Sequence, residues 1–175
     1  YVVPFINAMQ RSGTQEEKDL LFRSMLKYKA FEMVPSTKRG HKPGDMEKVV
    51  EQAIRTATNV KNRQTKSKDG AMDAVLKTIK DENLLEHKIL AIRLDPKYAT
   101  DKNLTGLIAN GLLDTFHRPV LILNQVIEER DGEQVATWQG SGRGYDKANL
   151  GSLRDLLVNS GLVDYAQGHA QAFGV

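Results

Sequence analysis

Cysteine is absent from this 175-residue sequence, and no apolar run approaches the roughly 20 residues that cross a bilayer. The first residues, Tyr1 to Ile6, also lack the basic lead and the small-residue cleavage site of a secretory signal. With no thiol to oxidise and no candidate membrane span, we expect a cytoplasmic protein that does not enter a membrane.

Composition is otherwise close to that of an average soluble domain, with 40% hydrophobic and 27% charged residues. A chain of this length can bury a real core, as one domain or as one domain with a helical attachment. The net charge of +3 is compatible with a nucleic-acid partner but does not indicate one by itself. Because the sequence lacks an initiator Met and stops inside a glycine-rich motif, we expect a longer parent protein.

The first half of the sequence carries the apolar period of helices. Thr14 and Glu17 form a predicted capping box for a helix that extends to about Lys29. Turn formers and cations in residues 35–44 predict an exposed basic loop. Asp45 is then expected to cap a second amphipathic helix.

A second basic run occupies residues 61–68 and contains no apolar side chain. It predicts a linker or a helix edge, after which Asp69 is expected to open a third helix. We therefore predict a helical connector with basic loops over residues 1–86.

From residue 88 the pattern changes to short apolar runs that are typical of buried strands. The first of these runs is expected to stop at Asp95 and Pro96, and the pair Asp131–Gly132 predicts the turn of a hairpin. Further strands are predicted at 118–123 and 134–138, and helices at 104–116 and 150–158. Residues 87–175 therefore form a predicted small α/β domain with a mixed sheet.

Three glycines surround one serine and one arginine in the segment Gly140-Ser141-Gly142-Arg143-Gly144. Glycine lets a backbone approach an anion closely, and the forked guanidinium of Arg143 matches a phosphate. The segment is a candidate phosphate site. A flexible connection between a strand and a helix, with an incidental arginine, is the alternative that the spacing alone favours.

Two further residues are weaker candidates on their own. His169 follows Gly168 among small residues, where an imidazole could reach a ligand from a tight backbone, although a lone histidine is more often structural. Arg11 is expected near a helix start, where it could equally pair with Glu16 or face water.

Two basic segments could contact the backbone of a nucleic acid strand, with salt-dependent affinity and no sequence preference. Their cations are Lys38, Arg39, Lys42, Lys61, Arg63, Lys66 and Lys68. A solvated, charged face is an equally good interpretation. The sequence has no Asp-x-Asp, Asp-His-His or His-x-x-x-His pattern to bind a pair of metal ions, so we expect no metal or cofactor in this chain.

Three segments in order resemble RecJ and its relatives in the DHH family of phosphoesterases. They are VVPFINAMQR near the start, NLTGLIANGLLDTFHRPVLIL in the middle, and GSGRG followed by QGHAQAFG. The first is similar to the end of the family's catalytic domain, and the rest is similar to its DHH-associated domain. The resemblance implies a helical connector followed by an α/β substrate-binding domain. Gln10 and Gln167 stand where the family usually has glycine.

The resemblance implies that the parent protein hydrolyses single-stranded DNA from 5′ to 3′, in DNA repair and recombination. Mn²⁺ or Mg²⁺ would be bound by a DHH domain outside this chain; the chain itself would clamp the strand and be inactive alone. His169 would lean toward the scissile phosphate. The phosphate-binding positions carried over by motif are Arg11, Ser141, Gly142, Arg143 and Gly168.

Two other functions stay open. One is a DHH phosphoesterase for short oligonucleotides or cyclic dinucleotides, because those relatives share a similar second domain. A series of ligands of increasing strand length would separate it from an exonuclease. The other is a non-catalytic nucleic-acid or protein-binding module that works without any metal domain.

Overall fold

The computed structural model describes residues 2–94, 102–130 and 132–175. Their contacts divide the chain into two compact units, Tyr1–Lys66 and Ser67–Val175. Each unit contains its own buried apolar residues. The predicted α/β fold class is confirmed, and the strands of the larger sheet all belong to the second unit.

Two short helices open the first unit, α1 (Val3–Ser12) and α2 (Gln15–Met25). The predicted capping box is present at the start of α2. The backbone N–H of Glu17 donates to Thr14 Oγ1 at 3.3 Å, and the N–H of Thr14 donates to the Glu17 carboxylate at 2.8 Å. The helix stops at Met25, short of the predicted end, because the next residue adopts an extended backbone.

A small antiparallel hairpin follows, formed by β1 (Met33–Pro35) and β2 (Met46–Lys48). The basic loop predicted at residues 35–44 connects these two strands. The prediction that Asp45 caps a helix is wrong, because β2 intervenes. The Asp45 carboxylate instead accepts a hydrogen bond from the backbone N–H of Lys42 at 2.8 Å, inside the loop.

One continuous helix, α3 (Val49–Asp81), replaces the two helices that the sequence predicts here. The basic run at 61–68 does not interrupt it, since Lys, Arg and Gln are good helix formers. The apolar stripe continues through a polar residue: Gln64 is buried, and its Nε2 donates to Ser12 Oγ at 3.1 Å. In the first unit, α3 packs on α1 and α2 through Ala8, Met9, Leu21, Ala57 and Val60.

The second unit is built on a five-stranded sheet with the order β3-β4-β5-β7-β6. The pair β3/β4 is parallel and the other pairs are antiparallel. The strands are β3 (Leu90–Leu94), β4 (Val120–Arg130), β5 (Glu133–Arg143), β6 (Gln167–His169) and β7 (Ala172–Gly174).

Each face of this sheet buries its own apolar cluster. Helix α4 (Thr105–Phe116) connects β3 to β4 and packs on one face together with the last turns of α3. Helix α5 (Leu153–Asn159) lies against the other face. The first face buries Ala71, Val75, Ile79, Leu90, Ile92, Leu94, Ile108, Ala109, Leu112, Val120 and Ile122. The second buries Leu121, Leu153, Phe173 and Val175.

The predicted domain boundary between residues 86 and 87 stays a prediction, and the contacts add one fact to it. Ala71, Val75 and Ile79 of α3 already pack in the core of the second unit. The contact division therefore lies earlier, after Lys66.

Strands β4 and β5 are longer than the sequence predicts, and they pair over eleven residues each. Strand ends with one solvated face can carry polar side chains, so a search for apolar runs does not detect them. The glycine-rich segment 140–143 consequently lies within β5 rather than in a connection. The predictions for Asp95, Pro96 and Asp131 fall outside the described residues. Within the described ranges, no helix has both the length and the apolar character to cross a membrane.

Candidate phosphate-binding site

The alternation of β5 sends neighbouring residues of the glycine-rich segment to opposite faces of the sheet. Ser141 faces α4, and its Oγ lies 2.9 Å from Thr105 Oγ1 in the first turn of that helix. Gly142 faces the other way, where the Phe173 ring occupies the space that a side chain would need. The bare backbone at Gly142 therefore has a packing role.

Arg143 also lies on the α4 face, and its guanidinium is held in place. Its Nε donates to Asn110 Oδ1 at 2.6 Å, and its Nη1 donates to the Gly142 carbonyl at 2.7 Å. The group lies against Gly106, where a β-carbon would be 2.6 Å from Arg143 Nη2 and 3.5 Å from Ser141 Oγ. Any side chain larger than hydrogen at residue 106 would displace the guanidinium.

The site thus combines a guanidinium, two hydroxyls and the first turn of α4 on one side of the sheet. The N-terminal end of a helix carries a positive partial charge, which adds to that of Arg143. Hydroxyl and guanidinium donors next to a helix N-terminus suit a phosphate group. The chemistry that the sequence predicts for Ser141 and Arg143 is therefore available in this arrangement.

The β6–β7 hairpin places His169 in the same cross-strand row as Arg143. Arg143 pairs with Ala172, and Ala172 pairs with His169. Two strand spacings of about 4.8 Å separate the backbones of Arg143 and His169 by about 10 Å. His169 is exposed at the edge of the sheet.

Gly168 allows the backbone that this hairpin requires. Its φ of 132° favours glycine, and a β-carbon there would lie 2.6 Å from the Ala172 carbonyl oxygen. The Gly168 carbonyl accepts a hydrogen bond from Arg154 Nη1 at 2.6 Å, which ties α5 to the hairpin. A role for Gly168 in ligand approach stays a prediction.

Arg11 belongs to the first unit, where it lies in the last turn of α1 and shortly before the Thr14 cap that starts α2. Its side chain is exposed. A joint role with Ser141 and Arg143 stays a prediction.

Several cations of the basic segments are paired with carboxylates inside the first unit or along α3. Arg63 lies 2.9 Å from the Glu17 carboxylate, and Lys68 lies 3.3 Å from that of Asp69. Lys38 is 3.8 Å from one carboxylate and 3.9 Å from another, those of Glu47 and Glu51. Arg39, Lys42 and Lys66 are exposed, and Lys61 is half-buried. Nucleic-acid contacts by these residues stay predictions.

Glu47 anchors the basic loop from a buried position in β2. Arg55 donates to its two carboxylate oxygens at 2.6 and 2.5 Å, and the backbone N–H of Thr37 donates at 2.9 Å. The hydrogen bonds from Arg55, supported by the one from Thr37, lower the pKa of Glu47 to about 2 against the opposing effect of burial. Glu47 therefore stays ionised and holds the loop against α3.

Three residues of the site were not predicted as functional: Thr105, Gly106 and Asn110. All three lie in the segment NLTGLIANG, which contributes to the resemblance. A threonine and a glycine at the start of an apolar helix could have indicated the site, because small residues there allow another strand or helix to approach closely. Their contact with β5 depends on pairing across more than thirty residues, which no local pattern shows.

Comparison with known proteins gives relatives over nearly the whole chain, although no family model matches it. A protein of Bacillus subtilis (strain 168), named as the SPbeta prophage-derived single-strand DNA-specific exonuclease YorK, is 33% identical over 174 residues. Its counterpart in Bacillus phage SPbeta matches equally. The predicted resemblance is confirmed. The match covers 99% of this chain but only 29% of each relative, so the chain spans less than a third of their length.

Solved structures of RecJ share the fold of this chain. Exonuclease RecJ bound to manganese aligns with a TM-score of 0.57 at 18% identity, over 99% of this chain and 34% of its own. RecJ from Thermus thermophilus aligns with TM-scores of 0.58 in its Mg²⁺ complex and 0.59 in its Mn²⁺ complex, again at 18% identity. The chain covers 21% and 20% of those two structures.

Among residues 2–94, 102–130 and 132–175 there is no group of three or more His, Cys, Asp or Glu side chains that could hold a metal ion. The donor set near Ser141 and Arg143 consists of hydroxyls, an amide and a guanidinium, which suits an anion rather than Mg²⁺ or Mn²⁺.

Proposed function

We propose that this chain is the strand-binding part of a 5′–3′ single-strand DNA exonuclease, and that it binds the 5′-terminal phosphate of its substrate at Ser141 and Arg143. The observation that carries the proposal is the convergence of the Arg143 guanidinium and the Ser141 hydroxyl on Gly106, in the first turn of α4. The relatives named as single-strand DNA-specific exonucleases support the choice of substrate.

The contacts of Arg143 explain why the site would be selective. Asn110 and the Gly142 carbonyl fix the plane of the guanidinium before any ligand arrives. A preorganised fork loses little side-chain entropy on binding and fits two oxygens of one phosphate. A terminal phosphate carries more negative charge than an internal one, so this site favours the strand end.

Hydrolysis itself belongs to another part of the longer protein in this proposal. That part is the DHH domain, which would supply Mn²⁺ or Mg²⁺ and be this chain's partner beside the DNA. His169 would contact the scissile phosphate, since it shares a cross-strand row with Arg143. Arg11, in the first unit, would contact a phosphate of the same strand. The proposed setting is the cytoplasm, in DNA repair and recombination.

Fluorescence anisotropy tests the proposal directly. The chain is titrated at low salt with single strands of about ten to twenty nucleotides that carry either a 5′-phosphate or a 5′-hydroxyl. We expect a preference for the phosphate of about ten- to a hundredfold, which corresponds to a charge-assisted hydrogen bond of about 1.5–3 kcal/mol. Arg143→Ala should abolish this preference and leave the binding of 5′-hydroxyl strands nearly unchanged.

Arg93→Ala is the matched control, because Arg93 lies over the Trp138 ring, 5.6 Å from its centroid, on the opposite face of the sheet. It should retain the preference. Equal losses for both strand ends in Arg143→Ala would show that Arg143 acts only as a general cation. Wild-type chain that binds both ends equally would overturn the proposal.

A further inference from the structure

A second basic concave surface lies at the opposite end of α4 from the phosphate site. It is a pocket of about 360 Å³ where the end of α4 meets the segment before β3 and the segment after β5. One acidic residue, Glu86, lines it. Its lining side chains with positive, imidazole or aromatic character are His87, Lys88, His117, Arg118, Tyr145 and Lys147.

Hydrogen bonds hold the walls of this pocket together. Arg118 donates through Nη1 to the carbonyls of Leu85 and His87, the latter at 2.7 Å. This fixes the segment before β3 against the start of β4. His117 ends α4 in a left-handed conformation, with φ 50° and ψ 45°, and its N–H donates to Leu113 O at 2.9 Å. Arg118 therefore holds the wall of the pocket, and Lys88 and Lys147 add two further cations to its lining.

An aromatic pair forms one wall. The rings of His117 and Tyr145 are stacked, with centroids 6.0 Å apart and planes 23° from parallel. Tyr145 follows Arg143 by two residues, so a short continuous stretch of backbone links this pocket to the strand that carries the phosphate site.

We propose that this pocket binds a second nucleotide of the same single strand, with its internal phosphate between Lys88 and Lys147 and its base stacked on the His117–Tyr145 pair. The inference rests on the proposed function. Point charges beside an aromatic platform are the combination that binds single strands without sequence preference. An acidic peptide would use the lysines but would leave the stacked rings without a matching group.

The lysines are tested with ligands of two lengths. Lys88→Gln/Lys147→Gln in the full chain should weaken binding of a 5′-phosphorylated thymidine 12-mer at least tenfold. It should also reduce the slope of log affinity against log salt by about 0.7, because one phosphate contact is lost and each such contact on a single strand contributes about 0.7. Binding of thymidine 5′-monophosphate, which has no second nucleotide and can fill only the Ser141–Arg143 site, should stay within twofold. The exposed pair Lys77→Gln/Lys80→Gln, with the same charge change in the same unit, is the control.

The aromatic wall is tested separately. A 12-mer with 2-aminopurine placed at one position after another should show quenching at one position near the 5′ end. Tyr145→Ala should remove that quenching and Tyr145→Phe should keep it, because the ring and not the hydroxyl supplies the stacking surface.

The outcomes separate this inference from the proposed function. If phosphorylated strands bind, and bind through Arg143, but the lysine pair behaves like its control and Tyr145→Ala changes nothing, the pocket is not a nucleotide subsite and the exonuclease proposal stands. If the wild-type chain binds no phosphorylated strand, both fall together.

Discussion

Gly106→Ala tests the geometry of the phosphate site without changing its charges. The new β-carbon would lie 2.6 Å from Arg143 Nη2 and 3.6 Å from its Cζ, so the guanidinium must move. That movement breaks the 2.6 Å hydrogen bond from Nε to Asn110 and turns the fork away from Ser141. The guanidinium itself remains, and alanine is a better helix former than glycine by up to about 1 kcal/mol. We therefore expect a fold of equal or slightly higher stability with a weakened site.

The expected loss is the value of one oriented charge-assisted hydrogen bond, about 1.5–3 kcal/mol, or about ten- to a hundredfold in affinity for 5′-phosphorylated strands. Affinity is measured by anisotropy and stability by thermal unfolding of the same samples. Gly70→Ala is the control, since it lies in α3 with no atom within 4 Å of the added carbon. If Gly106→Ala keeps the full phosphate preference at an unchanged melting temperature, the site does not depend on the placement of Arg143 and the reasoning is refuted.

Two further predictions concern the first unit. Arg55→Met should destabilise it by about 3–5 kcal/mol in urea unfolding, because it leaves the buried Glu47 carboxylate without its main partner. The pKa of Glu47 is lowered to about 2, so its contribution to stability is present above about pH 4.5 and is lost as the pH falls toward 2. Glu47→Gln should flatten stability over that pH range, and an unchanged profile would assign the acid sensitivity to other groups. Among the loop cations, Lys42→Gln should reduce the salt slope of DNA binding by about 0.7. Lys38→Gln should reduce it less, because Lys38 already lies near Glu47 and Glu51. Equal effects would show that these carboxylates do not compete with DNA.

The sequence predicts the second unit better than the first. Apolar runs are local signals, and the strand–helix–strand order that they predict from β3 to β4 is present. The Thr14 capping box in the first unit is a local signal of the same kind. The hairpin formed by β1 and β2 was missed because each strand has three residues and its stability comes from a buried ion pair, Glu47 with Arg55. No apolar pattern reports such a pair.

The phosphate site was predicted only in part, because local sequence patterns reveal some of its residues and not others. Ser141 and Arg143 stand out by residue type, and their positions on one face follow from the two-residue period of β5. Gly106 and Asn110 complete the arrangement from a helix that is distant in sequence. Only the fold brings them together, so residue types and spacing within one segment could not show them.

Because the two faces of β5 have different neighbours, substitutions in this strand have two kinds of effect. Gly140 and Gly142 contact the backbone of β4 and the Phe173 ring, so larger residues there oppose folding by overpacking, at a cost of about 1–3 kcal/mol each. Ser141 and Arg143 lie on the other face, where truncation to alanine removes polar contacts of the phosphate site and adds no atoms to the core. An alanine scan of residues 140–143, read out once for protein abundance and once for DNA binding, would therefore alternate from one residue to the next between the two phenotypes.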